Sequence, residues 1–174
     1  MFRRNTFCRW LLLLSLVSAL GVSVSTATEL ETPVRFAIIS DRTGGHQEGI
    51  YGQIVTEVER LRPDFVMTVG DYIEGYVDDS LEIAAAWDEY DSLLAGLSMP
   101  VYFTPGNHDI WSDKSEEWYR QRDTEPYYSF DRQGLHIIVL DFSRWDTGSQ
   151  LPQEQLDWLR QDLANSVDAA YTLV

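Results

Sequence analysis

The stretch from Met99 to Trp111, MPVYFTPGNHDIW, decides the fold. Pro100 introduces the apolar run Val101-Tyr102-Phe103, which reads as a buried strand, and Pro105-Gly106 turns the chain at its end. Asn107, His108 and Asp109 follow at once. Side chains able to ligate a cation or carry a proton thus stand at the mouth of a strand.

Two upstream strands end in the same way. Val34 to Ile39 reads as a buried strand closing at Ser40-Asp41, followed by the turn Thr43-Gly44-Gly45. Phe65 to Val69 is the next, and Gly70-Asp71 comes directly after it. Between them a helix starts near Ile50, with Ile50, Ile54, Val58 and Leu61 at helical spacing as its expected buried face and Pro63 at its end. A second helix is expected from about Leu81 to Leu97, burying Ala84, Trp87, Tyr90, Leu94 and Leu97. Strand, helix, strand, helix, strand favours a parallel sheet with right-handed crossovers.

Downstream, the polar segment 111–126 reads either as a substrate-facing lid or as an amphipathic helix resting on the sheet. Tyr127 to Phe130 and Leu135 to Leu140 predict a hairpin across Asp131-Arg132-Gln133-Gly134. A last helix starts near Pro152 and is expected to pack Leu156, Leu159 and Leu163, and Ala170 to Val174 begins a further strand.

Open parallel sheets place their sites beyond the carboxyl ends of the strands. Here those ends carry Asp41, Asp71 and Asn107. Singly, each is an ordinary turn residue. Together they converge on one small volume, where carboxylates without a counter-charge would repel each other, so a cation is the natural occupant.

The runs SDRTGG (40–45), VGDYIEG (69–75) and PGNHD (105–109) resemble the first three motifs of the calcineurin-like metallophosphoesterases, and QEQLDWLRQDL (153–163) resembles a helix that this family places after its motif-bearing strands. The resemblance implies an α/β fold, a four-layer α/β/β/α metallophosphoesterase sandwich of which this chain represents the first half. It implies two divalent metal ions, with manganese, iron or zinc as candidates. Asp41 would bind one, Asp71 would bridge both and Asn107 would bind the second. His108 would protonate the leaving group or steady the transition state. The implied reaction is hydrolysis of a phosphoric ester by a metal-activated water. Two ions about 3.5–4 Å apart can clamp both the attacking and the leaving oxygen of such a displacement. An imidazole, which titrates close to neutral pH, suits the proton transfer. Arg42, beside Asp41, is placed either to touch a substrate phosphate or to pair with a carboxylate.

Two features depart from the family pattern. Asp41-Arg42-Thr43 puts threonine where the family has a histidine ligand, and a hydroxyl is a poorer donor than imidazole for borderline metals. His46 is a candidate substitute, with a solvated histidine in a Gly-rich turn as the plainer reading. The family's later His-rich and Gly-His-x-His motifs do not occur before Val174, which leads to the expectation of an incomplete copy whose first sheet lacks cover on one face. The competing expectation is a non-catalytic remnant of the same fold. A nucleotide-binding parallel sheet is disfavoured, because no G-x-G-x-x-G turn follows the first strand. Elsewhere, His136 reads as a packed or edge histidine, Asp141 as a turn residue, and Glu74 as a turn or supporting acid.

The first 27 residues read as a secretory signal peptide. Arg3, Arg4 and Arg9 precede an uncharged apolar stretch from Trp10 to Val24, shorter than the roughly 20 residues a spanning helix needs, and Ser25, Thr26 and Ala27 follow. An uncleaved anchor is the alternative. The mature domain, about 28–174, is expected to be periplasmic or secreted, with no transmembrane segment after cleavage. Its core must hold without disulfides, since the one cysteine is Cys8. Setting aside the three arginines leaves 10 basic against 28 acidic side chains, a formal charge of −18. Such a surface repels nucleic acid, so the expected partner is a phosphoester substrate drawn by local positive charge, which a metal can supply.

Overall fold

Three short parallel strands, β1 (Phe36–Ile39), β2 (Phe65–Thr68) and β3 (Val101–Tyr102), form the first sheet in the order β1-β2-β3. Phe36 lies opposite Phe65, and Val66 opposite Val101. The computed structural model describes residues 33–122, 124–144 and 150–174. The expected signal peptide lies outside the described residues.

Alternation along these strands separates two cores. Ile39, Val66 and Val101 face the helices α1 (Ile50–Leu61) and α2 (Ser80–Leu94) and join a cluster with Val55, Val58, Trp87 and Tyr90. Phe36, Phe65, Met67 and Tyr102 face the opposite way and meet Phe130, Leu135 and Ile137. Those partners belong to a second sheet of β4 (Tyr128–Arg132), β5 (Leu135–Val139) and β6 (Tyr171–Leu173). In it β4 and β5 are antiparallel, and β5 and β6 are parallel. Phe130 stacks on Tyr102 with ring centroids 3.7 Å apart and meets Phe65 edge-on at 6.1 Å.

The second sheet is covered on its far face by α4 (Gln153–Asn165). His136, which points away from the Leu135–Ile137 face, bonds Asp162 of α4 at 2.7 Å, and Ser129 Oγ donates to the same carboxylate at 2.6 Å. The layers therefore run helix, sheet, sheet, helix, which is the four-layer α/β/β/α arrangement.

Several expectations need correction. The first sheet's second face is not bare, because β4 and β5 cover Phe65 and Met67. Cover stops short only near the strand ends, where Ile38, Val69, Phe142 and Leu173 line an apolar cleft of about 560 Å³. Helix α1 presents a different stripe from the expected one: Tyr51, Val55 and Val58 are buried, whereas Ile50, Ile54 and Leu61 are exposed. Helix α4 buries Gln155, whose Oε1 accepts from the Asp141 N–H at 2.8 Å and fixes the end of β5, and leaves Leu163 exposed.

Helix ends follow local chemistry. Asp79 caps α2 by accepting from the N–H groups of Leu81 and Glu82. Arg62, left-handed at φ 48°, ends α1 just before Pro63. Segment 111–126 contains helix α3 (Asp113–Arg120), opened by a Ser112–Ser115 capping box and anchored by buried Tyr119, so the amphipathic-helix reading describes it. Among the described residues, no helix is long and apolar enough to cross a membrane.

Candidate metal centre

Asp71 is the junction of the three loops that leave the first sheet. Its carbonyl oxygen accepts from the N–H groups of Arg42 (2.9 Å) and Thr43 (3.2 Å), which brings the loop after β1 alongside. Its Oδ1 accepts from the His108 N–H at 3.1 Å, which does the same for the loop after β3. To serve both, Asp71 adopts a left-handed backbone at φ 57°. A non-glycine residue there costs on the order of 1 kcal/mol or more and persists only when its surroundings hold it.

Asp109 supplies much of that hold. Its buried carboxylate accepts from the N–H groups of Asp71 (2.7 Å), Tyr72 (2.8 Å) and Gly106 (2.8 Å), so one side chain stitches the loops after β2 and β3 together. Burial pushes its pKa up to about 7, the three N–H bonds pull it down, and the Asp71 charge adds a further upward push. Beneath it, the Tyr72 hydroxyl bonds Thr68 Oγ1 at 2.6 Å and accepts from the Thr104 N–H at 3.0 Å. Burial holds that phenol protonated. The loops also approach too closely for side chains: a Cβ on Gly106 would overlap Asp71 Oδ1.

The expected donors come to this junction in different states. Asp71 is half-buried, while Asp41 and Asn107 are exposed. Asp41 Oδ1 accepts from Ser40 Oγ at 3.0 Å. Asn107 directs its Nδ2 to the Tyr76 hydroxyl at 2.9 Å, leaving its carbonyl oxygen available for a cation. His108 Nδ1 lies 2.7 Å from the Glu74 carbonyl oxygen. A carbonyl only accepts, so Nδ1 carries the proton and Nε2 is the nitrogen free to exchange one. Glu74 thus supports His108 through its backbone rather than its carboxylate.

Arg42 is engaged elsewhere. Its Nη1 donates to the Tyr72 carbonyl at 3.1 Å and its Nη2 pairs with Glu89 of α2, with the side chain only 10% exposed. It ties the end of β1 to α2. His46 lies 3.5 Å from the Glu74 carboxylate, in a pocket with Asp41, Ile50 and Ile54. The loop-closing role of Asp109 and the contact of Tyr76 with Asn107 were not expected from the sequence. For Asp109 the signal was present in PGNHD, since a carboxylate two residues past a turn can reach back to backbone N–H groups.

Does this donor set suit a divalent cation? Among the described residues neither Asp41 nor Asp71 forms an ion pair, and Thr43 Oγ1 is buried without a hydrogen-bond partner. Two carboxylates, an amide oxygen and an orphan hydroxyl are hard-oxygen donors of the kind such an ion takes. Among the described residues, however, no three His, Cys, Asp or Glu side chains gather closely enough to hold a metal by themselves.

Residues 34–168 match the family model of the calcineurin-like phosphoesterases. The chain belongs to that family. Its fold is similar to a dimetal phosphatase from Danio rerio, at 17% identity and a TM-score of 0.60, over 80% of this chain and 68% of that one. It is also similar to the purple acid phosphatase PPD1 from yellow lupin (Lupinus luteus) seeds, at 14% identity and a TM-score of 0.58, over 80% of this chain and 29% of that one. No curated protein sequence matches. Family membership supports metal-dependent phosphoester hydrolysis.

Proposed function

We propose that this calcineurin-like phosphoesterase is an exported metallohydrolase of phosphoric esters, with Asp41, Asp71 and Asn107 as metal donors and His108 as proton donor to the leaving group. The observation that carries the reading is Asp71: a strained carboxylate whose backbone and side chain tie together all three strand-end loops. Divalent ions held there would neutralise charge on the phosphoryl oxygens and activate a water.

The chain's own residues do the rest. Asp71, with one oxygen fixed by the His108 N–H, would offer its other oxygen to the ions. Asn107 contributes a neutral oxygen, so the site's negative charge does not grow. His108, its Nδ1 occupied by the Glu74 carbonyl, delivers a proton from Nε2 to the departing alkoxide. Arginine contact with the phosphate is a lesser part of the proposal, since Arg42 would have to leave Glu89. Export rests on the basic start, apolar run and small-residue site of residues 1–27.

The test is Asp71→Asn, assayed with manganese and an aryl phosphate. Hydrolysis is expected to fall by more than the roughly 10–100-fold typical when a supporting partner of a ligand is lost. Activity that survives Asp71→Asn, or that ignores a chelator, would falsify the metal mechanism. The unclustered donors and Thr43 favour a second reading, a non-catalytic domain of the same fold. It predicts manganese binding below one ion per chain and no turnover in the unsubstituted protein.

A further inference from the structure

Helix α4 is held to its sheet in a different way from the helices of the first sheet. Helix α1 buries Tyr51, Val55 and Val58, and α2 buries Ile83, Trp87, Tyr90 and Leu94. The one buried residue of α4 is polar, Gln155. Its apolar side chains are only partly buried, Trp158 among them, whose ring stands edge-on to Tyr127 at 5.1 Å. Two polar anchors supply the rest of the hold. In the first half, Gln155 accepts from the Asp141 N–H at 2.8 Å and donates to the Asp141 carbonyl at 3.3 Å. In the second half, Asp162 accepts from Ser129 Oγ of β4 at 2.6 Å and lies 2.7 Å from His136 Nε2 of β5.

The second anchor carries charge. His136 is 5% exposed, and its Nδ1 lies 2.8 Å from Asp131 of β4. Ionised carboxylates only accept, so both ring nitrogens carry protons and the ring is a cation. Thr172 of β6, opposite His136 in the ladder, is uncharged, and the charges that act on the ring are those of Asp162 and Asp131. These two differ. Asp131 is 82% exposed and can turn to water, whereas Asp162 is 16% exposed and has His136 as its cation among the described residues. Once the ring loses its proton, the Asp162 charge stays in a largely dry place without a counter-charge, which is costly. We propose that the Asp162–His136 contact is a proton-dependent latch: the charged ring holds the second half of α4 on β4 and β5, and loss of its proton frees that half while Gln155 keeps the first half in place. Burial lowers the pKa of the ring, but the bonds and charges of Asp162 and Asp131 raise it by more. The latch is therefore fully closed below the ordinary imidazole value and opens as pH rises through the raised one. Residues 166–170 join α4 to β6, so the latch also governs how firmly that edge strand is held.

The test is amide hydrogen exchange on the whole protein from about pH 6 to about pH 9, with each rate divided by the intrinsic rate at that pH. Protection of residues 159–165 is expected to fall roughly 10-fold across the series relative to α2, the worth of one charge-assisted hydrogen bond. His136→Gln and Asp162→Asn should each flatten that profile, with α2 reporting that the variant is folded. A flat profile in the parent overturns the proposal, and so does a fall that persists in both variants. Should the variants not fold, nitrogen NMR of the His136 ring in the parent decides. Both nitrogens protonated at the acid end, with the proton lost over the same pH range as the protection, supports the latch. A ring that is neutral throughout, or that titrates while protection stays level, overturns it.

Discussion

On the side of the site fed by β2 and β3, backbone and side chains interlock: Asp109 accepts three N–H bonds, His108 is held at both its N–H and its Nδ1, and Tyr76 holds Asn107. The side fed by β1 is built otherwise. Residues 44–50 are exposed, and a Cβ on Gly44, Gly45 or Gly49 would meet nothing within 4 Å. Helix α1 begins there without a side-chain cap. One half of the candidate centre is preorganised and the other is open. Preorganised donors lower the cost of binding because they are ordered before the ligand arrives. On the proposed reading, Asp71, Asn107 and His108 are the groups that folding alone fixes, and Asp41 and Thr43 those that binding would have to finish.

The largest effect expected from this contrast comes from adding one methyl group on each side. Gly75→Ala would force the His108 carbonyl aside at a positive φ, and a cost of about 3 kcal/mol or more is expected, together with loss of metal binding. Gly45→Ala, at φ 102° but in open space, should cost only about 1 kcal/mol from backbone strain. Urea unfolding of both variants measures the difference. Equal costs would mean that the two halves are equally ordered.

Next in size is a test within α1, whose packing connects the open loop to the sheet. Val55 is 3% exposed and Ile54 is 41% exposed. Val55→Asn should destabilise by about 2–3 kcal/mol by burying an unpaired amide, and Ile54→Asn by less than about 0.5 kcal/mol. The reverse order would restore the stripe expected from spacing alone.

That stripe shows what could be read from the sequence. The order of strands and helices, the parallel sheet and the hairpin were legible, since apolar runs and turn residues alternate at the right lengths. The face of α1 was not: Ile50-Ile54-Val58 and Tyr51-Val55-Val58 are both apolar at helical spacing and share Val58, and only packing against β1 and β2 chooses between them. Asp41, Asp71 and Asn107 could be picked out because each stands in a loop that leaves a strand of the first sheet. The hold of Glu74, Gly75 and Tyr76 on Asn107 and His108 could not, because it is made by a carbonyl, a missing Cβ and a positive φ. Cover for the first sheet was also underestimated, since a short hairpin with Phe130 and Ile137 suffices where strands are four residues long or less.

A smaller, pH-dependent effect lies far from the site, between the second sheet and α4. His136 is buried with Nδ1 on Asp131 at 2.8 Å and Nε2 on Asp162 at 2.7 Å. Burial opposes its charged form, but the hydrogen bonds and charges of Asp162 and Asp131 outweigh it and raise the pKa. A raised histidine stabilises the fold in its protonated form. That contribution is fully present below the ordinary imidazole value and is lost as pH rises through the raised one. The difference in urea midpoint between the parent and His136→Gln should therefore be greatest on the acid side and shrink with rising pH. A difference independent of pH would mean that the ring packs there uncharged.

The smallest expected effect tests the open half itself. His46 is the one imidazole near Asp41 that could replace the ligand missing at Thr43, yet its side chain is 47% exposed and lies 3.5 Å from the Glu74 carboxylate. An exposed pair of this kind contributes little, roughly 1 kcal/mol at most. His46→Ala is expected to change manganese affinity by less than about 2-fold. A drop of roughly 10-fold or more would mean that the loop after β1 folds over the metal and carries His46 into its coordination. The open half would then be a closing arm of the site, and Gly44, Gly45 and Gly49 its hinges. A null result leaves Asp41 as the single charged donor from β1 and assigns the strength of the site to the interlocked loops.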